Sequence, residues 1–373
     1  MNRAKPKFLT CMLGAAVLAA CGTPGVPMPP ALELAKPVTD LRAARKGARV
    51  YLAWTVPVKT TDHQTVRHPG PTRICRSLKV GIDDCKKPVA EIPASQFPVP
   101  ELQKKTAAPP KIQATYTDIL PQDLQRQDPT ADLVYAVSAL NESGRSAGLS
   151  NLVQVPSAET LPPPDNLHSE VESDGVLLSW TCPAEVPANP AIAYKLRIYR
   201  RERGGQGQKT DTRLAEVNWV SCAENKAPQF LDQTFEWEKY YDYRGAVVTV
   251  IAEPGKPEVE VEGDDTPAVE VFAHDIFPPA VPAGLQAVFS GVGQKPFVDL
   301  VWSPDTEADL AGYNIFRREE GGQPVKVNSE LVKSPAYRDN DVAPGKKYFY
   351  SVSAVDERDN ESARSPEASE QVP

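Results

Sequence analysis

The sequence has few histidines, no excess of positive charge and no long apolar run. Each of these three absences excludes a class of function. Histidine accounts for 4 of the 373 residues, and the metalloprotease pattern H-E-x-x-H does not occur. The net charge of -8 is opposite to that of a protein that holds nucleic acid through phosphate contacts. No apolar run reaches the roughly 20 residues that a membrane-spanning helix needs. The sequence therefore predicts neither a nucleic-acid partner nor a spanning helix.

Proline is the abundant residue, with 38 copies against 22 glycines. Proline at this level, without a collagen-like period, is typical of strands with prolines at their edges and of proline-stiffened joints. The apolar fraction of 41% is ordinary, so the chain has enough material for packed cores. At 373 residues the chain is long enough for two or three domains, and its composition fits the all-β class that the repeated motifs below predict.

The first 20 residues have the pattern of a secretory signal. Arg3, Lys5 and Lys7 form a basic start, and Phe8–Ala20 is an apolar run too short to cross a bilayer. Small residues follow at its end. The pattern predicts an exported protein.

The end of this signal, Leu18-Ala19-Ala20-Cys21, resembles the lipobox of bacterial lipoproteins. The resemblance implies cleavage before Cys21 and a diacylglycerol on its thiol. Two or three acyl chains hold a protein firmly, since each buried CH₂ contributes about 0.8 kcal/mol. Gly22, in place of Asp, favours the outer membrane if the source is Gram-negative. The alternative is an ordinary signal peptide that contains Cys21.

Residues 21–36 follow as a proline-rich segment, with Pro24, Pro27, Pro29 and Pro30. Such a segment favours extended polyproline II at about 3.1 Å per residue, which gives a tether of roughly 50 Å. We expect it to hold the first domain off the membrane. A disordered leader without a defined length is the alternative.

Three motifs recur three times in the same order. The first is a strand-like run that ends in tryptophan, the second is an arginine-flanked strand, and the third is a run that starts with tyrosine. The tryptophan runs end at Trp54, Trp180 and Trp302, the second strands are Arg73–Arg76, Arg197–Arg200 and Asn314–Arg317, and the third runs start at Tyr135, Tyr243 and Tyr350. The recurrence predicts three similar units.

The third unit resembles a fibronectin type III domain. Trp302 matches the tryptophan of strand B, Gly312–Arg317 matches strand C, and Pro344–Tyr348 matches the corner between strands E and F. The resemblance implies that the Tyr348 hydroxyl bonds back to the backbone as a tyrosine corner. It implies an immunoglobulin-like β-sandwich.

The same pattern divides the chain into a lipoprotein signal peptide at 1–20, the tether at 21–36, and three fibronectin type III-like sandwiches at 37–156, 161–274 and 278–373. In the second sandwich Tyr241 takes the corner position, whereas the first has Leu133 there. We expect Trp54, Trp180, Trp302, Tyr241 and Tyr348 to be core residues. We also expect an elongated rod with little contact between domains.

Other segments interrupt this pattern. The first unit has insertions at 55–70 and 94–111. These are either recognition loops or loose loops without a binding role. In the second unit, 259–262 and 268–272 flank Gly263–Pro267, which predicts a hairpin-like extension with one acidic face.

Four cysteines remain after the lipobox: Cys75, Cys85, Cys182 and Cys222. An even set in an exported protein predicts disulfides, and three pairings are possible. Pairing within units gives Cys75–Cys85 and Cys182–Cys222, whose loops predict about 2.8 and about 3.9 kcal/mol of stabilisation. Zinc is the alternative, but spacings of ten and forty do not match the close ligand pairs of zinc sites.

The sequence predicts no catalytic residue, no metal and no cofactor. His63 and His68 share one loop, and His168 and His274 lie at domain edges, away from any recognisable nucleophile. The acidic run 356–361 lacks the calcium-loop spacing and is typical of a turn, although a calcium site remains the alternative.

The favoured interpretation is a non-enzymatic cell-envelope lipoprotein, anchored by lipid, that acts as a spacer, an adhesion element or a protein-interaction scaffold. The alternative is a glycan-binding lipoprotein that uses Trp219, Trp237 or the first-unit loops. Both tryptophans lie outside the shared tryptophan position, and the other possibility is that they cover the core of the second unit. The expected partner is another envelope or extracellular protein, or a glycan.

Overall fold

The computed structural model describes residues 32–78, 81–82, 84–97, 111–181, 189–204, 210–218, 228–290, 293 and 295–373. These residues fall into two compact units. Within the described ranges, the first comprises 32–43, 52–116 and 134–154, and the second comprises 44–51, 117–133 and 155–373. None of the helices formed by these residues has the length and apolarity needed to cross a membrane.

The first set of strands forms two sheets, of three and four strands. In chain order they are β1 (Arg42–Lys46), β2 (Arg49–Thr55), β3 (Pro69–Ser77), β4 (Ala90–Ile92), β5 (Gln113–Ile119), β6 (Asp132–Asn141) and β7 (Val153–Pro156). The sheet orders are β1-β2-β5 and β4-β3-β6-β7. A six-residue helix, α1 (Gln122–Gln127), and a 3-10 turn at Ala94–Gln96 lie between strands.

The second set again forms two sheets. Its strands are β8 (Asp165–Glu172), β9 (Gly175–Thr181), β10 (Ile192–Glu202), β11 (Thr212–Asn218), β12 (Gln229–Asp232), β13 (Lys239–Ile251), β14 (Val259–Asp265) and β15 (Val269–Ala273). The three-stranded sheet has the order β12-β9-β8. The five-stranded sheet has the order β11-β10-β13-β14, and β15 also pairs with β13.

The predicted hairpin between 259 and 272 is wrong. The strand β14 pairs with Ala246–Ile251 of β13, and β15 pairs with Lys239–Tyr243 of the same strand. One edge strand is therefore interrupted at 266–268. The 13 residues of β13 are long enough to pair with both pieces in succession.

The third set has the same arrangement without the extra strand. Its members are β16 (Gln286–Ser290), β17 (Phe297–Val301), β18 (Leu310–Glu319), β19 (Val325–Lys326), β20 (Ala336–Asp339), β21 (Lys347–Asp356) and β22 (Ala368–Gln371). The sheet orders are β16-β17-β20 and β19-β18-β21-β22. Three strands facing four in this order is an immunoglobulin-like sandwich of the fibronectin type III kind.

The repeated tryptophans are buried between the sheets. Trp54, Trp180 and Trp302 expose 0%, 2% and 6% of their surface. In the third sandwich the Trp302 ring meets Tyr313 edge to face at 5.1 Å. Because strand side chains alternate between faces, each tryptophan places its neighbours on the opposite, solvent side.

The repeated arginine and tyrosine belong to a buried triad that links the two sheets of a sandwich. In the third sandwich, Asp339 accepts hydrogen bonds from Arg317 at 2.8 Å and from the Tyr350 hydroxyl at 2.9 Å. The carboxylate is only 3% exposed, so it depends on these partners. Burial and the adjacent carboxylate raise the pKa of Tyr350 above its ordinary range.

The second sandwich repeats this triad. Asp232 accepts from Arg200 at 2.6 Å and from the Tyr243 hydroxyl at 2.8 Å. In both sandwiches the arginine and the tyrosine are directly opposite each other in the sheet, so the register delivers both donors to one carboxylate.

The tyrosine corner is present in these two sandwiches. The backbone N–H of Ala343 donates to the Tyr348 hydroxyl at 3.0 Å, and the N–H of Glu236 donates to the Tyr241 hydroxyl at 2.9 Å. Both tyrosines are 3% exposed. The hydroxyl therefore fixes the segment that enters the following strand.

Candidate functional site

An exposed row of stacked rings lies on the five-stranded sheet of the second sandwich. Tyr240 and Phe272 are directly opposite each other on β13 and β15, with ring centroids 4.4 Å apart and planes 17° apart. His274 stacks on Phe272 at 5.3 Å and 8°. Tyr240 is 48% exposed and Phe272 is 38% exposed. We name these three residues the aromatic strip.

The three rings of the strip stack on one another. Phe272 stacks on both Tyr240 and His274, so contact between the rings covers part of the ring faces. Saccharides stack on open aromatic faces, whereas ring edges suit apolar and acceptor groups of a protein surface. The geometry therefore favours a protein contact over sugar stacking at this position.

The charges beside the strip are paired within the sheet. Arg203 binds Asp242 at 2.7 Å and Glu270 at 2.6 Å, and Arg201 binds Asp242 at 3.0 Å. An exposed apolar patch with a balanced polar rim is typical of protein interaction sites. Tyrosine and phenylalanine are enriched in the centres of such sites.

The joint between the second and third sandwiches lies next to the strip. Arg358, in the loop after β21, lies 3.1 Å from the Asp275 carboxylate and 3.5 Å from Glu238. Asn360 donates to the Asp275 carbonyl at 3.2 Å. Glu238 also lies 3.1 Å from His274, so the strip and the joint are continuous.

These contacts correct the expectation of little contact between domains for this pair of sandwiches. Asp275 is 4% exposed and makes an ion pair across the joint. The Trp237 and Phe277 rings, 6.0 Å apart, add an aromatic contact. The short linker is held by side chains from both sides, a feature that its proline content alone does not predict.

Three carboxylates at this joint lie close together. The oxygens of Asp275, Asp309 and Asp356 lie within 4.8 Å of one another. Asp356 accepts from the N–H groups of Arg358 and Asn360 at 2.8 and 2.9 Å, so it caps its own turn. Arg358 supplies the positive charge of the cluster, and we assign no metal to it. The arrangement matches the interpretation of 356–361 as a turn.

Within the second compact unit, acidic residues of β14 bind basic residues of β1 and β2, which also corrects the expectation of little contact between the first two predicted domains. Lys46 binds Asp265 at 2.7 Å and Glu262 at 3.1 Å, and Arg49 binds Asp264 at 2.7 Å. Gly47 between these basic residues has a φ of +58°, and a side chain there would lie 2.8 Å from the Asp264 carboxylate. Only glycine fits this turn without strain.

The insertion at 55–70 forms a clasp on the segment that enters the first unit. Lys36 donates to the Lys59 carbonyl and Thr61 to the Leu34 carbonyl, each at 2.9 Å. Glu33 accepts from the His68 N–H at 2.9 Å and also from that of Arg67. The insertion is therefore held by hydrogen bonds over these residues rather than being loose, and a role in recognition stays a prediction. Of the second insertion, 94–111, only 94–97 and residue 111 lie within the described ranges.

The structure joins Cys75 and Cys85 in a disulfide, as the sequence predicts. The predicted partners Cys182 and Cys222 lie outside the described residues, as do the predicted lipidation site Cys21 and the predicted ligand contact Trp219.

Trp237 is half-buried and meets Phe235 edge to face at 4.6 Å. It packs against the core of the second sandwich, which is the alternative to a ligand role.

The sequence also contains one serine pattern of the kind found in hydrolases. Residues 144–148 read Gly-Arg-Ser-Ala-Gly, which matches the G-x-S-x-G pattern of α/β-hydrolases. That chemistry needs a strand-to-helix turn, but 149–152 are not helical and the serine lies between two strands. The Ser146 hydroxyl accepts from Ser138 at 2.8 Å and from the Gly148 N–H at 3.0 Å. Ser146 forms a β-bridge with Leu140, just after the turn at 141–144, and does not lie on a nucleophile elbow.

Comparison with known proteins finds partial similarity. No family model matches the chain. It is 37% identical over 129 residues to an amylopullulanase of Thermoanaerobacterium saccharolyticum, which is 34% of this chain and 9% of that protein. An amylopullulanase of Thermoanaerobacterium thermosulfurigenes is 39% identical over 95 residues, 25% of this chain and 5% of that protein. The chain thus spans less than a tenth of these relatives' length.

Among solved structures, the chain is similar to a Fn3-like protein from Clostridium thermocellum. The identity is 35%, the match covers 26% of this chain and 96% of that one, and the TM-score is 0.23. The sheet orders of the sandwiches, and the tyrosine corners of the second and third, are those of fibronectin type III domains. The chain therefore carries fibronectin type III-like domains.

Proposed function

We propose that the protein is a non-enzymatic lipoprotein of the cell envelope, anchored through Cys21, that acts as a spacer and protein-interaction scaffold. The basic start, the short apolar run and the lipobox-like Leu18–Cys21 support the anchor. The fibronectin type III-like domains support the scaffold, because rigid sandwiches present surfaces for binding. In a Gram-negative source, Gly22 favours the outer membrane.

The aromatic strip beside the ion-paired joint is the observation that carries this proposal. A docking surface works best when the elements that display it are held in one arrangement before the partner arrives. Glu238 contacts both His274 of the strip and Arg358 of the third sandwich. The proposed partner is another envelope protein.

The anchor is tested by replacing Cys21 with Ala in cells that receive labelled palmitate. We expect the wild-type protein to carry label and to sediment with membranes, and the variant to lose both properties. A Cys11→Ala variant is the matched control, because Cys11 lies inside the apolar run and would be removed with the signal. Equal labelling of wild type and Cys21→Ala would refute the anchor.

The docking surface is tested with the double variant Tyr240→Ser and Phe272→Ser. We expect loss of the protein that co-purifies with the wild type after crosslinking of intact envelopes. Val288→Ser is the control, because Val288 is 53% exposed on the third sandwich and lies outside the strip. Undiminished recovery of the partner with the double variant would remove the strip from the binding surface.

A second candidate function is glycan binding, favoured by the matched relatives, which are amylopullulanases by name. Trp237 contributes to the core, so we place a saccharide contact elsewhere. Retention of the protein on insoluble polysaccharide, compared with bovine serum albumin, tests this candidate.

A further inference from the structure

We propose that a cavity on the outer face of the four-stranded sheet in the first unit binds an uncharged saccharide. The inference deepens the second candidate function by naming its site. The cavity has a volume of about 310 Å³, and its lining includes Arg73, Asp84, Lys86, Ser138 and Leu149. We name it the outer-face cavity. Its size lies at the lower end of small-molecule sites.

The register of β3 and β6 forms the floor of this cavity. Arg73 is directly opposite Ser138, and Cys75 is directly opposite Ala136. Since strand side chains alternate, these residues share one face, while Ile74 with 0% exposure points to the core. The sheet thus places the Arg73 guanidinium on this face, directly opposite Ser138, which is 5% exposed and donates to the Ser146 hydroxyl.

The walls of the cavity are restrained by a disulfide on one side and by a backbone hydrogen bond on the other. The Cys75–Cys85 disulfide holds Asp84 and Lys86 above the sheet. On the other side, the turn after β6 is closed by the Asn141 N–H donating to the Arg145 carbonyl at 2.8 Å. A site restrained in this way loses little freedom when a ligand enters.

Each charged side chain in the described lining of the cavity has an opposite charge beside it. Arg73 uses its Nε to bind Glu91 at 2.6 Å, and Lys86 binds Asp84 at 2.8 Å. A charged ligand would have to compete with one member of each pair. The cavity therefore selects against phosphorylated sugars and amino sugars.

The ion pairs Arg73–Glu91 and Lys86–Asp84 are suited to bind the hydroxyl groups of a ligand. A guanidinium has five N–H donors and an ammonium has three, so Arg73 and Lys86 retain donors beyond those used by the ion pairs. The Asp84 carboxylate adds acceptors 2.8 Å from the Lys86 ammonium. A hydroxyl both donates and accepts, so two neighbouring hydroxyls can bridge such a pair. Leu140 and Leu149 offer an apolar wall to the C–H face of a sugar ring.

The test is ligand binding by NMR with the full chain. Maltose and cellobiose serve as uncharged probes, and glucose 6-phosphate and glucosamine as charged ones. We expect millimolar binding of at least one disaccharide, with shifts at the amides of 138–149, and at least tenfold weaker binding of both charged probes. Shifts confined to other parts of the chain, or tighter binding of a charged probe, would overturn the proposal.

Two variants separate the outer-face cavity from any other saccharide site. Asp84→Asn and Lys86→Ala should each weaken disaccharide binding about tenfold, since each removes a charge-assisted hydrogen bond. Lys87→Ala is the matched control, because Lys87 is also exposed but does not line the cavity. If the disaccharide binds both variants as well as the wild type, the cavity is wrong while glycan binding stands. If neither disaccharide binds the wild type, the cavity proposal fails, and retention on insoluble polysaccharide decides glycan binding separately.

Discussion

The third and first sandwiches have the same sheet order but different residues at the corner between strands E and F. In the third, Tyr348 accepts a backbone hydrogen bond, whereas Leu133, two residues before Tyr135, is fully buried in the first. Both keep an arginine directly opposite the following tyrosine, Arg317 with Tyr350 and Arg76 with Tyr135. The comparison teaches that the cross-strand arginine–tyrosine pair is the repeated requirement and that the corner is an addition.

The largest expected effect comes from breaking the triad of the third sandwich. Asp339→Ala leaves Arg317 and the Tyr350 hydroxyl without their buried acceptor, which should destabilise that sandwich by about 3–5 kcal/mol. Hydrogen exchange of the β21 amides in the full chain measures this loss. Asp341→Ala is the control, because the Asp341 side chain is 97% exposed and should matter by less than about 0.5 kcal/mol. Equal effects of the two variants would contradict the triad.

The corner should contribute less than the triad. Tyr348→Phe removes one hydrogen bond to the Ala343 N–H and should cost about 1 kcal/mol, and Tyr241→Phe should cost the same in the second sandwich. Denaturant-dependent exchange of the affected strands provides the measurement. Tyr240→Phe, at an exposed position, is the control. A corner variant as costly as Asp339→Ala would reverse the ranking of the two features.

Breaking the ion pairs of the joint should increase local opening there without unfolding either sandwich. Arg358→Ala removes the charge that pairs with Asp275 and Glu238, so exchange of the amides at 275–277 should accelerate about tenfold, equivalent to about 1.4 kcal/mol. Arg338→Ala, which breaks an exposed pair with Asp299 in the same sandwich, should leave these amides unchanged. Unaltered exchange in Arg358→Ala would show that the joint is held by other contacts.

The smallest effect is the pH dependence of the clasp. The hydrogen bond from His68, followed by those from the backbone of Arg67 and His68, lowers the pKa of Glu33 to about 2, and Glu33 raises the pKa of His68. The contribution of Glu33 is present above its ordinary pKa of 4.5 and is lost as the pH falls towards 2. That of His68 is present below its ordinary 6.5 and is lost as the pH rises through its raised pKa.

The clasp should therefore be tightest between pH 4.5 and 6.5, as followed by the NMR shifts of the Arg67 and His68 amides. In Glu33→Gln these shifts should lose the acid transition, whereas His63→Gln should keep it. An acid transition that persists in Glu33→Gln would assign it to another group.

The sequence was sufficient for the β class, the three tryptophan-centred repeats and the Cys75–Cys85 pair, because each depends on local alternation or short spacing. The sequence was not sufficient to predict the triad of Asp339, Arg317 and Tyr350. The arginine and tyrosine motifs are visible, but Asp339 lies 22 residues from Arg317 and only sheet packing brings them together.

The aromatic strip was missed for a similar reason. In the sequence Phe272 lies near the end of a short strand-like run whose only acidic residue is Glu270, and the pairing of β15 with β13 places it opposite Tyr240. The joint was missed because ion pairs between distant residues such as Arg358 and Asp275 leave no periodic pattern in the sequence.

Site-specific photocrosslinking in intact envelopes tests the proposed docking role most directly. A photoreactive residue at Phe272 should trap one discrete protein, while the same group at Val288 should trap none. Failure to trap a protein at 272, or the same product from both positions, would contradict a docking role for the aromatic strip.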